Sequence, residues 1–145
     1  MSRDALLEEA LKEARKGLEE GGIPIGSVLV RDGKIVGRGH NQRVQKNDPM
    51  AHAEIDALRD AGRIGSYKDT VLYSTLSPCY LCSGAIVQFQ IPKVIAGEAK
   101  TFAGAPEFLR SHGVDVTDAD DPDCIALMER FIKEKPELWN EDIGK

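Results

Sequence analysis

The stretch Ser27-Val28-Leu29-Val30-Arg31-Asp32-Gly33-Lys34-Ile35-Val36-Gly37-Arg38 decides the architecture of this chain. Two apolar runs are joined by Asp-Gly, a pair that tolerates the positive φ of a two-residue hairpin turn, so the spacing predicts two antiparallel strands. Upstream, Leu6, Leu7, Ala10, Leu11, Ala14 and Leu18 recur at helical spacing with charges between them, and Gly21-Gly22 ends that helix. Downstream, a polar loop over Gln42 to Pro49 leads to a helix over about Ala51 to Ala61, stopped by Gly62. Thr70 to Thr75 reads as a buried strand, and Ser77 is placed to cap a following helix with Pro78 at its first position. A strand at Lys93 to Ala96, a helix over Pro106 to His112, a strand at Val114 to Val116 and a helix over about Pro122 to Lys135 complete the pattern. The tail Pro136 to Lys145 holds the chain's only tryptophan, Trp139. A hairpin followed by alternating helices and strands predicts a three-layer α/β/α sandwich around a mixed sheet.

The 145 residues suit one domain, and we expect 1–145 to be a single unit. A chain of this length buries roughly 70% of the surface its unfolded form exposes, enough for one core. Acids among the first nine residues interrupt the apolar stretch that a secretion signal needs, and no run is long enough to span a membrane. The expectation is a cytoplasmic protein. With 19 Lys+Arg against 24 Asp+Glu, the net charge of −5 argues against a partner held mainly through phosphates. Three cysteines, two of them in a C-x-x-C, point to metal or redox chemistry before a disulfide framework.

Cys79 and Cys82 are three apart at a helix start and share one face, so they can grip the same ion. The positive end of the helix favours thiolates, and the expectation is that both are deprotonated. His52, at the start of another helix, can supply a third ligand and leave a fourth position open, as catalytic zinc requires. Glu54 follows His52 by two residues. In mid-helix that spacing would separate the side chains; at a first turn, with the metal beyond the helix end, both can reach one small volume. Three other readings of these residues exist. A structural zinc site would recruit Cys124, His40 or His112 as a fourth ligand, but gives no reason for Glu54. A redox C-x-x-C leaves both His52 and Glu54 unexplained. A zinc-stabilised binding module without catalysis predicts a closed four-ligand site. Taken alone, Cys124 reads as a small buried hydrophobe, and His40 and His112 as surface or satisfied residues.

His52-Ala53-Glu54 together with Pro78-Cys79-Tyr80-Leu81-Cys82 resembles the H-x-E … P-C-x-x-C arrangement of zinc-dependent deaminases. Beyond that core, the chain resembles the fungal cytosine deaminase family in Gly37-Arg38-Gly39-His40-Asn41, Gln45-Lys46, Tyr67-Lys68-Asp69-Thr70, Thr75-Leu76-Ser77-Pro78-Cys79, Gly84-Ala85-Ile86 and Glu141-Asp142-Ile143-Gly144. The resemblance implies a five-stranded sandwich, a homodimer, a zinc ion, and conversion of cytosine to uracil and ammonia. It implies that Glu54 shuttles protons while His52, Cys79 and Cys82 hold the metal. It also implies that Asn41 bonds the pyrimidine carbonyl and Asp142 the exocyclic amine. Phe102, Trp139 and Ile25 would enclose the base, and the backbone at Ala53 and Ser77 would touch it. Two departures bear on the substrate. Tyr80-Leu81 stands where the fungal enzymes carry Asp-Met, and Asp48-Pro49-Met50-Ala51 before His52 is similar to bacterial tRNA adenosine deaminases and guanine deaminases. Guanine, creatinine and the adenosine of a tRNA therefore stay beside cytosine as alternatives.

Overall fold

The computed structural model describes residues 3–145 as a five-stranded sheet between two layers of helices. Helix α1 (Ala5–Glu19) leads into strands β1 (Gly26–Arg31) and β2 (Lys34–His40), paired antiparallel. Asp32 and Gly33 both take positive φ, 51° and 73°, so the expected hairpin forms through the expected turn. Then follow α2 (Arg43–Lys46), α3 (Ala53–Ala61), β3 (Thr70–Ser74), α4 (Tyr80–Gln88) and β4 (Lys93–Ala96). The chain closes with α5 (Pro106–Ser111), β5 (Asp115–Asp118), α6 (Pro122–Glu134) and α7 (Pro136–Asp142). The strand order is β2-β1-β3-β4-β5; β1 pairs antiparallel with both its neighbours, while β3, β4 and β5 run parallel. Among the described residues no helix is long and apolar enough to cross a membrane.

Strand alternation divides the core. Val28, Val30 and Tyr73 face Leu7, Ala10 and Leu11 of α1 and Cys124 of α6. Leu29, Leu72 and Val94 face Ile86 of α4 and Leu109 of α5. Helix α3 lies unusually close to β2, because two glycines form the floor beneath it. A Cβ on Gly37 would fall 2.3 Å from the Ala57 carbonyl oxygen, and one on Gly39 would meet Asp56 at 2.5 Å. Asp56 uses that proximity: its Oδ2 accepts from the His40 amide at 3.0 Å and from Gln42 Nε2 at 2.9 Å. The start of α3 is thereby tied to the end of β2.

Three local expectations need correction. The helix after β3 starts at Tyr80 with Cys79 as its N-cap, rather than at Ser77-Pro78. Ser77 instead turns its hydroxyl toward the loop that carries Phe102, donating to the Ala103 carbonyl at 2.8 Å. The Gln42 to Pro49 loop contains the single turn α2, closed by Asn47 in the left-handed region. The last strand lies two residues further on than expected, at its C-terminal end, because its register is set by pairing with β4. The tail, to which no element was assigned, forms α7. Seven residues are too few for a helix to persist alone. Burial of Trp139 against α6 and the sheet end, worth on the order of 4 kcal/mol as an upper estimate, holds it.

Candidate active site

The first residues of β1 and the last of β2 and β3 lie side by side, since Gly26 pairs with His40 and Ser27 with Ser74. The starts of α3 and α4 meet at this end of the sheet, and α7 packs over it. Nine of the eleven expected site residues line one cavity of about 480 Å³ there; Cys82 and Ala53 are buried behind its wall. Ala53 is packed with Ile25, Leu76 and Trp139, so its side chain supports the cavity without facing it. Cys124 is buried in the opposite layer, as expected of a small hydrophobe. His40 is also buried and satisfied, with Nδ1 2.9 Å from Glu13 and Nε2 2.8 Å from Glu20, while His112 sits at the exposed end of α5.

His52 is the N-cap of α3 in extended conformation, which turns its imidazole off the helix end and leaves Glu54 on the first turn. Both side chains reach the same cavity. The ligand atoms of His52, Cys79 and Cys82 lie within 4.8 Å of one another, and Cys79 Sγ is 3.5 Å from His52 Nδ1. A tetrahedral zinc with ordinary Zn–S and Zn–N bonds needs an S···N edge of about 3.6 Å, so the donor set fits the ion. Among the described residues no fourth His, Cys, Asp or Glu joins this group. The arrangement is that of an open site.

The electrostatics couple these groups tightly. The Cys82 thiol hydrogen-bonds to Cys79, and despite burial this holds the Cys79 thiol down to about 4, with His52 adding to the effect. Cys82 moves the other way, pushed well up by that shared proton and by burial. The two sulfurs therefore share one proton unequally, and a cation bound between them displaces it, so that both serve as thiolate ligands. Burial pulls His52 down, but the Cys79 hydrogen bond and the charges of Asp142, Cys79 and Glu54 outweigh it and raise it to about 8. Glu54 is 4% exposed, and burial, with the Cys79 charge, pushes its carboxyl up to about 7.

On the other side of the cavity, the Asn41 amide donates to Ile25 and its Oδ1 accepts from the Arg43 amide at 3.0 Å. Asn41 Nδ2 is buried with no partner, and so is Asp142 Oδ1. Phe102 and Trp139 meet edge to face, with centroids 5.6 Å apart at 89°. Phe102 is carried by a loop anchored from within: the fully buried Glu98 carboxylate accepts from the amides of Lys100 and Thr101 and from the Thr101 hydroxyl. Sequence reasoning missed Leu76, Gly104 and Ile143 in the cavity wall, and Tyr80 and Leu81 at its edge. Tyr80 and Leu81 were visible as departures near the metal; the other three carry no chemical signal of their own.

Residues 1–98 match the family model of the cytidine and deoxycytidylate deaminase zinc-binding region, and the chain belongs to that family. It is a zinc-dependent deaminase by family, with His52, Cys79 and Cys82 positioned to hold the metal. Among its relatives, it is 47% identical over 142 residues to the cytosine deaminase of Candida albicans, covering 96% of this chain and 95% of that one. It is also 40% identical over 140 residues to a tRNA-specific adenosine deaminase of Streptococcus pyogenes, covering 88% of each. A solved structure from work on A-to-I editing by tRNA:A34 deaminases superposes with a TM-score of 0.74 at 30% identity, covering 86% of this chain and 99% of that one.

Proposed function

We propose that this chain hydrolyses cytosine to uracil and ammonia, with the catalytic, metal and substrate roles falling on the residues that surround the cavity. The observation that carries the reading is the pair of unpartnered polar atoms in the buried wall. Neither Asn41 Nδ2 nor Asp142 Oδ1 has a partner at good hydrogen-bond geometry, although the two side chains lie near enough for Asn41 to favour the charged Asp142 carboxylate. Unpaired polar atoms are costly when buried and so mark where a ligand completes them. A flat ring bearing one carbonyl and one amine does so, and Phe102, Trp139 and Ile25 supply apolar walls for it. The carboxylate accepts from an amine but repels a keto oxygen, which favours substrate over product at that position.

Bound zinc supplies a Lewis acid that makes water nucleophilic near neutral pH. His52, Cys79 and Cys82 would hold it. Glu54 does the proton work, since a carboxyl poised near 7 both takes and returns a proton at working pH. It accepts one proton from the attacking water and passes it to the ring nitrogen beside the amine-bearing carbon. It then takes the second proton from the newly added hydroxyl, as that becomes the carbonyl, and gives it to the departing amine. Water in and ammonia out balance the reaction. Asn41 and Asp142 hold the ring so that this carbon faces Glu54, and Ser77 and Ala53 shape the wall.

The same proposal takes 1–145 as one domain, working as a cytoplasmic homodimer with no nucleic-acid partner. Exposed Tyr80, Phe89 and Met50 are apolar groups of the kind that a second copy covers. The net charge of −5 opposes tRNA as substrate. Ammonia release by zinc-loaded protein across cytosine, isocytosine, cytidine, guanine, adenine and creatinine tests the assignment, with cytosine expected to be fastest. Activity on cytidine and none on cytosine overturns it, and a salt-dependent gel shift with tRNA would favour the adenosine reading.

A further inference from the structure

Arg43 stands outside the cavity lining yet touches both groups proposed to read the substrate. Its main-chain N–H donates to Asn41 Oδ1 at 3.0 Å, which fixes the rotamer of that amide and leaves Nδ2 as its unpartnered end. Its side chain is only 11% exposed and crosses to the C-terminal helix. There Nε lies 3.2 Å from Asp142 Oδ1, and Nη1 lies 3.4 Å from Glu141 Oε1. Nε also donates to the Pro49 carbonyl at 3.2 Å, on the segment that leads to His52.

The contacts with Asp142 and Pro49 differ in kind. Nε carries one hydrogen, and that hydrogen is directed at Pro49. Asp142 Oδ1 therefore gains a neighbouring positive charge without a hydrogen bond, and stays unpartnered. A direct donor would fill the lone pair that a substrate amine requires. Arg43 holds Asp142 and Glu141 of α7 from beside and leaves that lone pair open.

We propose that Arg43 is a positioning residue for this site: it clamps α7 over the cavity and sets the spacing between Asn41 Nδ2 and Asp142 Oδ1. A carbonyl and an amine on one flat ring are recognised only when that spacing is held. The inference rests on the substrate reading proposed for the same cavity. A lysine cannot reproduce it, because a single ammonium on a flexible stem cannot hold the Pro49 oxygen and both carboxylates in one plane.

Trp139, the chain's only tryptophan, lies three residues before Asp142 in α7 and reports the seating of that helix whatever the substrate. The test compares zinc-loaded full-length wild type, Arg43→Gln, Asp142→Asn and the double variant. Arg43→Gln should raise acrylamide quenching of Trp139 about twofold, and raise KM for cytosine about tenfold with kcat changed less than about threefold. Added to Asp142→Asn, it should raise KM no further, since both changes remove one contact. Should Arg43→Gln not fold, Arg43→Lys carries the same test. Unchanged quenching, unchanged KM, or independent additive losses each overturn the clamp. If wild type releases no ammonia from cytosine, the substrate reading fails separately and quenching alone decides: a rise upholds the clamp and no change overturns it.

Discussion

His52 Nε2 stands 3.6 Å from Asp142 Oδ1, across the imidazole from the Nδ1 that faces Cys79 Sγ at 3.5 Å. One carboxylate thus borders both the metal ligand and the substrate cavity. A histidine that ligates through Nδ1 carries its hydrogen on Nε2, and a carboxylate there favours that tautomer. Asp142→Asn should weaken zinc binding about tenfold, in the range seen for such outer partners. Competition with a chromogenic chelator measures it, and unchanged affinity would confine Asp142 to substrate recognition.

Glu54→Gln keeps the size of the side chain and one carbonyl oxygen but removes the group that can take and return a proton. The variant should keep stoichiometric zinc and lose about 10²- to 10⁴-fold in kcat. Metal analysis together with steady-state ammonia release checks both halves. Zinc retained with turnover also retained would rule Glu54 out as the proton carrier.

The two aromatics that meet edge to face should separate by readout. Trp139 is buried in the cluster with Met128 and Phe131, so Trp139→Ala should cost about 3–5 kcal/mol of stability as well as activity. Phe102 is only partly buried on a loop that Glu98 anchors independently, so Phe102→Ala should raise KM and leave the urea midpoint nearly unchanged. Equal losses of stability in the two variants would contradict this division.

The features legible in the sequence are those that local rules control. Asp32-Gly33 announces its turn because the two positive φ values are demanded within the turn itself. His52, Cys79, Cys82 and Glu54 announce the metal site because residue type and spacing are both restricted there. What escaped notice depends on distant partners. Ser77 was unreadable as a non-cap without knowing that Ala103 takes its hydroxyl. Helix α7 was unreadable because tertiary contact through Trp139 and Arg43, rather than propensity, holds seven residues in a helix. Arg43 gives no signal in the local sequence, since its side-chain partners in α7 lie about a hundred residues away at Glu141 and Asp142.

Acid stability should depend on Asp121, which ties Arg3 near the N-terminus to the start of α6. Its Oδ1 caps α6 by accepting from the amides of Asp123 and Cys124 at 2.9 and 3.0 Å, and its Oδ2 accepts from Arg3 Nε at 2.6 Å. Burial pushes the carboxyl up, but Arg3 and the two amides outweigh it, so the folded-state pKa lies below the usual carboxylate value. A group whose pKa is depressed by folding stabilises the protein above its unfolded pKa, and that contribution disappears as pH falls through the folded value. The loss therefore begins near pH 4 and deepens below it. Asp121→Ala removes the cap as well as the ion pair and should cost about 1–2 kcal/mol at neutral pH. Its penalty relative to wild type should shrink as pH drops below about 4, because wild type is then losing the same carboxylate. Urea denaturation between pH 3 and pH 7 measures the difference, and a penalty independent of pH would show that the Asp121 charge contributes nothing.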